Sequence, residues 1–190
     1  MNAQPGALDV VRNFMGFDYS YITVIKKIDK PKLTSFIAKH VIMENTNYGT
    51  CATIVFKSDE TIRQFLKDSL SELEINESPY LLNALNNETA EIGYIYFDIK
   101  EVKSSQFIYT RFTAATTNMS LLFCNSISVK DWFINFGKNV NAIAIFLDLE
   151  EQDYKFIFKE GLCIDVSVSG SAELNSANFY EEIIKDYQNS

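Results

Sequence analysis

Any chemistry in this chain has to be carried by carboxylates, hydroxyls and tyrosines, because little else is available. There is one histidine, His40, placed where a helix would end. A histidine there serves as a dipole partner or cap. With no second histidine and no CxxC pair, zinc ligation is not indicated. Cys51, Cys124 and Cys163 lie far apart, each in or beside an apolar run. That pattern points to reduced thiols, not a disulfide frame. A Cys–His nucleophile would need His40 beside one of them, and no spacing requires it. Phosphate-cradling, zinc-protease, nucleophile-elbow and calcium-loop motifs are absent from the sequence. Carboxylates are plentiful at Asp18, Glu91, Asp98, Glu101, Asp148 and Asp165, but any acidic chain supplies glycosidase-like pairs. No catalytic residue, metal site or cofactor is assigned.

The tyrosines are more informative. FDYSYITVIKK (Phe17 to Lys27) and EIGYIYFDIKEV (from Glu91) are rich in aromatic and β-branched residues and read as strands. Period-two alternation puts Tyr19 and Tyr21 on one face of the first, opposed by Ile22 and Val24. It puts Tyr94, Tyr96 and Asp98 on one face of the second, opposed by Ile95, Phe97 and Ile99. The aliphatic faces are expected to meet helices, and the tyrosine faces to meet whatever covers the sheet. Two sheets packed together would account for this. So would a groove lined by Tyr19, Tyr21, Tyr94 and Tyr96 with Asp98 as its polar contact. The hydroxyl-rich stretch TAATTNMS, with Thr116 and Thr117 at its centre, reads as a bend between strands or, alternatively, as a ligand loop.

The elements that must position these groups follow from pattern. Asp29 and Pro31 start a short helix to about His40. Val41 to Met43 and Thr50 to Lys57 are strands joined by the turn NTNYG. Ser58 caps a helix with Ile62, Phe65, Leu66, Leu70 and Leu73 as its buried stripe. SQFIYTRFTAAT is a strand, and Met119 to Phe123 a further short one. Asn125 or Ser126 caps a helix with Val129, Trp132, Phe133 and Phe136 inward, ended by Gly137. NAIAIFLDL, YKFIFK and LCIDVSV are strands, and NFYEEIIKDY is a last helix burying Phe179, Ile183 and Ile184.

TIVFKSDETIRQFLKD and SLLFCNSISVKDWFIN share a plan at one constant offset, and the two tyrosine strands align upstream of them in the same order. This suggests an internal duplication. Strand, helix, strand, strand, helix is the order of a split βαβ, ferredoxin-like unit. The expected fold is therefore α+β: two such units, with mixed or antiparallel sheets and helices on one face. Residues 1–14 read as a flexible leader, 15–90 as the first repeat, and 91–190 as the second repeat with the C-terminal helix.

At MGFDYSYITVIKK and again at TAATTNMSLLFCNSISVKDWF, the chain resembles a family of uncharacterised bacterial proteins. Its members begin MG-D-Y-S-Y and carry a T-T-x-M-S-L-L-F segment before a helix. The resemblance runs from Met15 to about Val168. It implies a bacterial protein with Met15 as a natural start, and supplies no activity, cofactor or catalytic residue.

Charge narrows the function. Of 190 residues, 25 are Asp or Glu and 17 Lys or Arg, for a formal net charge of -8. Phosphate backbones and anionic lipid surfaces repel such a chain. Its one basic cluster, Lys26, Lys27, Lys30 and Lys32, has Asp29 within it. No apolar run approaches the roughly 20 residues that span a bilayer, and the start lacks signal-peptide features. The chain reads as a cytoplasmic, non-enzymatic protein-binding module. By charge it is comparable to immunity proteins that neutralise toxins with basic active sites. The alternative is a small-ligand binder or enzyme with a cleft between the repeats. A third reading is a homodimer that pairs open sheet faces.

Overall fold

A strand buried on both faces cannot alternate, and β1 (Ser20–Lys26) is such a strand, covered along all but its last residue. It lies inside one eight-stranded antiparallel sheet. The computed structural model describes residues 18–69, 85–101, 106–150 and 153–169. The remaining strands are β2 (Val41–Thr46), β3 (Gly49–Lys57), β4 (Thr89–Glu101), β5 (Phe107–Thr113), β6 (Ala142–Leu149), β7 (Asp153–Lys159) and β8 (Leu162–Ser169). Their spatial order is β2-β3-β4-β5-β1-β6-β7-β8. Hairpins join β2 to β3, β6 to β7 and β7 to β8, as their short turns predict.

Four helices among the described residues pack on one face: α1 (Lys30–His40), α2 (Glu60–Asp68), α3 (Thr117–Asn125) and α4 (Ile127–Val140). Thr116 caps α3, and its hydroxyl accepts from Met119 N–H at 3.2 Å. Ser126 caps α4 through Val129 N–H at 3.1 Å, and Asn141 closes it in the left-handed region. The buried residues of α4 recur at helical spacing: Val129, Phe133, Phe136, Gly137 and Val140. Phe133 is enclosed by Tyr21, Phe112, Phe123 and Trp132. Removing its ring would cost about 3–5 kcal/mol. Lys130 reaches from α4 to Asp165 of β8 at 2.9 Å, tying helix to edge strand.

The other face carries a second apolar cluster on its central strands. Ile22, Val24, Phe107, Tyr109, Phe146 and Tyr154 are all buried there. At these positions β5, β1, β6 and β7 are thus covered on both sides, while Arg111 of β5 remains exposed.

Several expectations are corrected. Met119 to Phe123 is helix, not strand. Met119, Leu122 and Phe123 are buried while Leu121 is exposed, which is helical periodicity. TAATTNMS therefore runs from the last residue of β5 through a short turn into α3, and is not a bend between two strands. The two matching segments fold differently: the first is β3 then α2, the second α3 then α4. In a split βαβ unit the first strand would lie beside the third. Here β3 has β2 and β4 as neighbours, and β1 lies between β5 and β6. The α+β class with helices on one face stands, but the two-unit ferredoxin-like arrangement is not the one observed. Gly137 does not end α4. It lies inside, where a Cβ would come within 2.4 Å of Ile145 Cδ1. Asp59, not Ser58, caps α2. The expected leader, Leu70 and Leu73, and the last helix with Phe179, Ile183 and Ile184 lie outside the described residues.

Candidate functional site

Directly opposed residues of paired strands share a face, so the registers define a row across the whole sheet. Glu44, Cys51, Tyr96, Thr113, Ser20, Asp148, Tyr154 and Val168 follow one another from β2 to β8. The next row holds Asp98, Arg111, Ile22, Phe146 and Phe156. Both rows lie on the face away from the helices. Toward β7 they are closed. Toward β2 they open.

On β4 the sequence reading of the faces holds. Ile95 and Phe97 join the core under the helices. Tyr96 is 40% exposed and Tyr94 77%. A β-bulge accounts for Tyr94: Ala52 pairs with Ile95 and Ile54 with Ile92, so Gly93 and Tyr94 together oppose Thr53. Bulges re-aim a side chain in this way. Tyr94 has φ of 58°, the left-handed region.

On β1 the faces are reversed. Tyr21 meets the helices. Its ring stacks on Phe133 at 3.9 Å and its hydroxyl donates to the Phe123 carbonyl at 3.0 Å. Burial, and then the nearby Cys124 thiol, push its pKa well above the ordinary tyrosine value. Tyr19 is half-buried against the same core, with its backbone N–H donating to Ser120 Oγ at 3.1 Å. Its pKa is also raised, by burial first and then by Cys124 and Glu150. Thr116 and Thr117 begin α3, in the helix layer. Of the seven expected site residues, the fold therefore brings Tyr94, Tyr96 and Asp98 to one face and leaves Tyr19, Tyr21, Thr116 and Thr117 on the other side of the sheet.

Two clefts flank Tyr96 and Asp98. One, of about 530 Å³, is lined by Asp18, Ser20, Tyr96, Asp98, Arg111, Thr113, Asp148 and Glu150. It holds four carboxylates around one guanidinium. Arg111 Nε donates to Asp98 Oδ2 at 2.8 Å, with both side chains half-exposed. The Ser20 and Thr113 hydroxyls are 2.8 Å apart, and Asp148 is buried beside Ser20. The other cleft, of about 560 Å³, lies on the β2–β3 side and has Tyr48, Thr50 and Ile99 among its walls. Tyr48 stands exposed at the tip of that hairpin.

Beyond the clefts the face of β2, β3 and β4 is uncovered. Ile42 is 55% exposed and Val55 48%. Register places Ile42 beside Thr53 and Val55 beside Glu91. Glu44 and Glu91 are both exposed. The surface is thus a mixed sheet face of apolar and aromatic side chains with carboxylates between them. Arg111, Ser20, Thr113, Glu44, Ile42 and Val55 were not anticipated. Alternation in SQFIYTRFT separates Arg111 and Thr113 from Phe112, but which strand each would face depends on a register that no local pattern fixes.

The site offers hydrogen bonding, aromatic contact and negative potential. Among the described residues no group of three His, Cys, Asp or Glu side chains is placed to hold a metal ion. Cys51 is buried and His40 packs on Phe36 at 4.4 Å between ring centres, at the end of α1. In the basic cluster, Lys30 is paired with Glu101 and Lys32 with Asp29. No helix among the described residues is long and apolar enough to cross a membrane. No protein-family model, no curated protein and no solved structure matches the chain. What the site does must be read from its geometry.

Proposed function

We propose that this is a non-enzymatic binding module for a basic protein partner, and that the open face of β2, β3 and β4 is its docking surface. One observation carries the reading. The sheet is enclosed on both faces at its centre, yet here it presents Ile42, Val55, Tyr94 and Tyr96 to solvent with Glu44, Glu91 and Asp98 between them. Exposed apolar groups in a contiguous patch mark interaction sites, and tyrosine is enriched in interfaces and their hot spots. The interspersed carboxylates select the partner. They would steer a cationic surface in and repel a second copy of this acidic chain or a phosphate backbone. The acidic cleft around Arg111 adjoins the same face at Tyr96 and Asp98 and extends its negative field. The parallel with acidic immunity proteins is one of charge and class. A cytoplasmic setting is part of the reading and agrees with three unpaired cysteines.

A displayed library of random peptides, panned on the full chain, tests this. The reading expects enrichment of sequences that combine Lys or Arg with an aromatic or aliphatic anchor. Their affinity should fall as salt rises from about 0.1 to 1 M, where the screening length shrinks from about 10 to 3 Å. Enrichment of acidic or purely apolar sequences, or binding indifferent to salt, would overturn it.

The alternative, a small-ligand site, is favoured by the floor of the acidic cleft, where Asp148 is buried beside the Ser20–Thr113 hydroxyl pair. A small polyamine, titrated calorimetrically, would bind there under that reading. It would bind no more tightly than to any acidic surface under the first.

A further inference from the structure

We infer that Tyr94 is the anchor of this docking surface: a ring held out at a backbone cost to enter an apolar pocket ringed by cationic groups on the partner. The inference rests on the docking reading above and assigns its central residue. Among the described residues, four that are not glycine have positive φ: Tyr94, Asn141, Glu150 and Glu160. Asn141 is a helix cap, and Glu150 and Glu160 lie in turns between strands. Tyr94 alone sits within a strand.

A bulky residue at φ of 58° is strained, because its Cβ crowds the following carbonyl. Glycine or asparagine would occupy the position more cheaply. The core gives nothing in return, since the side chain is 77% exposed. Among the described residues no hydrogen bond or ring contact holds it. The glycine of the bulge is instead at position 93, where a Cβ would come within 3.1 Å of Thr53 Oγ1. The bulge is therefore built around close packing at Gly93, and the left-handed conformation falls to a tyrosine. Strain of this kind persists where function uses it.

The position suits an anchor. Tyr94 stands two residues from Tyr96 on the same strand, with Thr53 opposite and Glu91 and Val55 one register step away. A large, stiff side chain with two rotatable bonds loses little entropy on binding. Carboxylates on both sides of it match cations around a receiving pocket.

The variants Tyr94→Gly, Tyr94→Asn and Tyr94→Phe separate strain from contact. Two quantities are read for each: the urea midpoint, and affinity for a peptide enriched on the wild-type chain. The glycine and asparagine variants are expected to unfold at a midpoint no lower than wild type while binding at least tenfold more weakly, which is about 1.4 kcal/mol. The phenylalanine variant keeps most of the affinity. A lowered midpoint in the glycine and asparagine variants would make the ring a structural element and overturn the inference. Undiminished affinity in those variants would overturn the anchor alone and leave the docking face standing. Failure of the wild-type chain to enrich any peptide would remove both.

Discussion

Asp59 Oδ2 accepts a hydrogen bond from the Ser126 hydroxyl at 2.7 Å, and these two residues start α2 and α4. Asp59 also accepts from Ile62 N–H at 2.8 Å on one oxygen and from Ser128 N–H at 3.0 Å on the other. A single carboxylate thus satisfies the N-termini of two helices, where the dipoles favour negative charge. Asp59 and Ser126 are also the positions that coincide when TIVFKSDETIRQFLKD is laid on SLLFCNSISVKDWFIN. The shared plan of those segments shows up in space as a contact between their caps, although the elements preceding the caps differ.

Asp59→Ala should lower stability by about 2–4 kcal/mol, from a lost cap and hydrogen-bond donors left without a partner. Its pH dependence follows from the carboxyl. Burial raises the pKa of Asp59, but hydrogen bonds from Ser128, Ile62 and Ser126 outweigh this and hold it below the usual aspartate value. A depressed folded pKa gives stabilisation that is complete above the unfolded value of about 3.9 and is lost as pH falls through the folded one. Urea midpoints of wild type and variant should therefore converge in acid. A gap that stays constant down to about pH 3, below that unfolded value, would contradict this role.

Thr23 and Thr110 face each other across β1 and β5, both fully buried, and neither hydroxyl has a hydrogen-bond partner among the described residues. An unpaired buried hydroxyl is costly, and valine fits the same space. Thr23→Val and Thr110→Val should each leave stability unchanged or raise it by about 1–2 kcal/mol. A loss of stability in either would show that a water satisfies the pair.

How much of this was legible in the sequence can be seen strand by strand. β4 was readable because only its helix-facing side is buried, so Ile95 and Phe97 alternate with Tyr96 and Asp98. β1 was not, because both its faces are buried and either alternating set would serve as core. The stretch MSLLF misled because a short apolar run fits a strand or a helix equally. The capping Thr116 and the spacing of Met119, Leu122 and Phe123 were the available signal for a helix. The acidic cleft was beyond local pattern. Asp18 and Ser20 meet Asp98, Arg111 and Asp148 only through pairings between distant strands.

Gly137 illustrates the same limit. As a residue near a helix end it reads as a terminator, but it is a site of close approach to Ile145 of β6. Gly137→Ala gains helix propensity of up to about 1 kcal/mol. It also forces Ile145 to move within a packed core, which costs about 1–3 kcal/mol. A net loss in thermal stability is expected, and Ile145→Val should relieve part of it. A Gly137→Ala variant more stable than wild type would show that the core yields there freely.

Tyr21 and Tyr96 should behave oppositely on truncation. Tyr21→Ala removes a ring stacked on Phe133 and a bond to the Phe123 carbonyl, for a loss of about 3–5 kcal/mol. Tyr96→Ala removes a partly exposed ring and should cost much less, on the scale of a cross-strand contact, about 1 kcal/mol or below. Equal losses in urea titrations would mean that the uncovered face is itself structural.

The most direct test of the docking face is charge reversal on it. Glu44→Lys combined with Glu91→Lys changes two exposed side chains and should leave the unfolding free energy from urea titration within about 0.5 kcal/mol of wild type. Affinity for a basic peptide enriched on the wild-type chain is then measured in both. Loss of at least tenfold in the reversed protein is the predicted result. Equal affinity would place the binding elsewhere and contradict the assignment of this face.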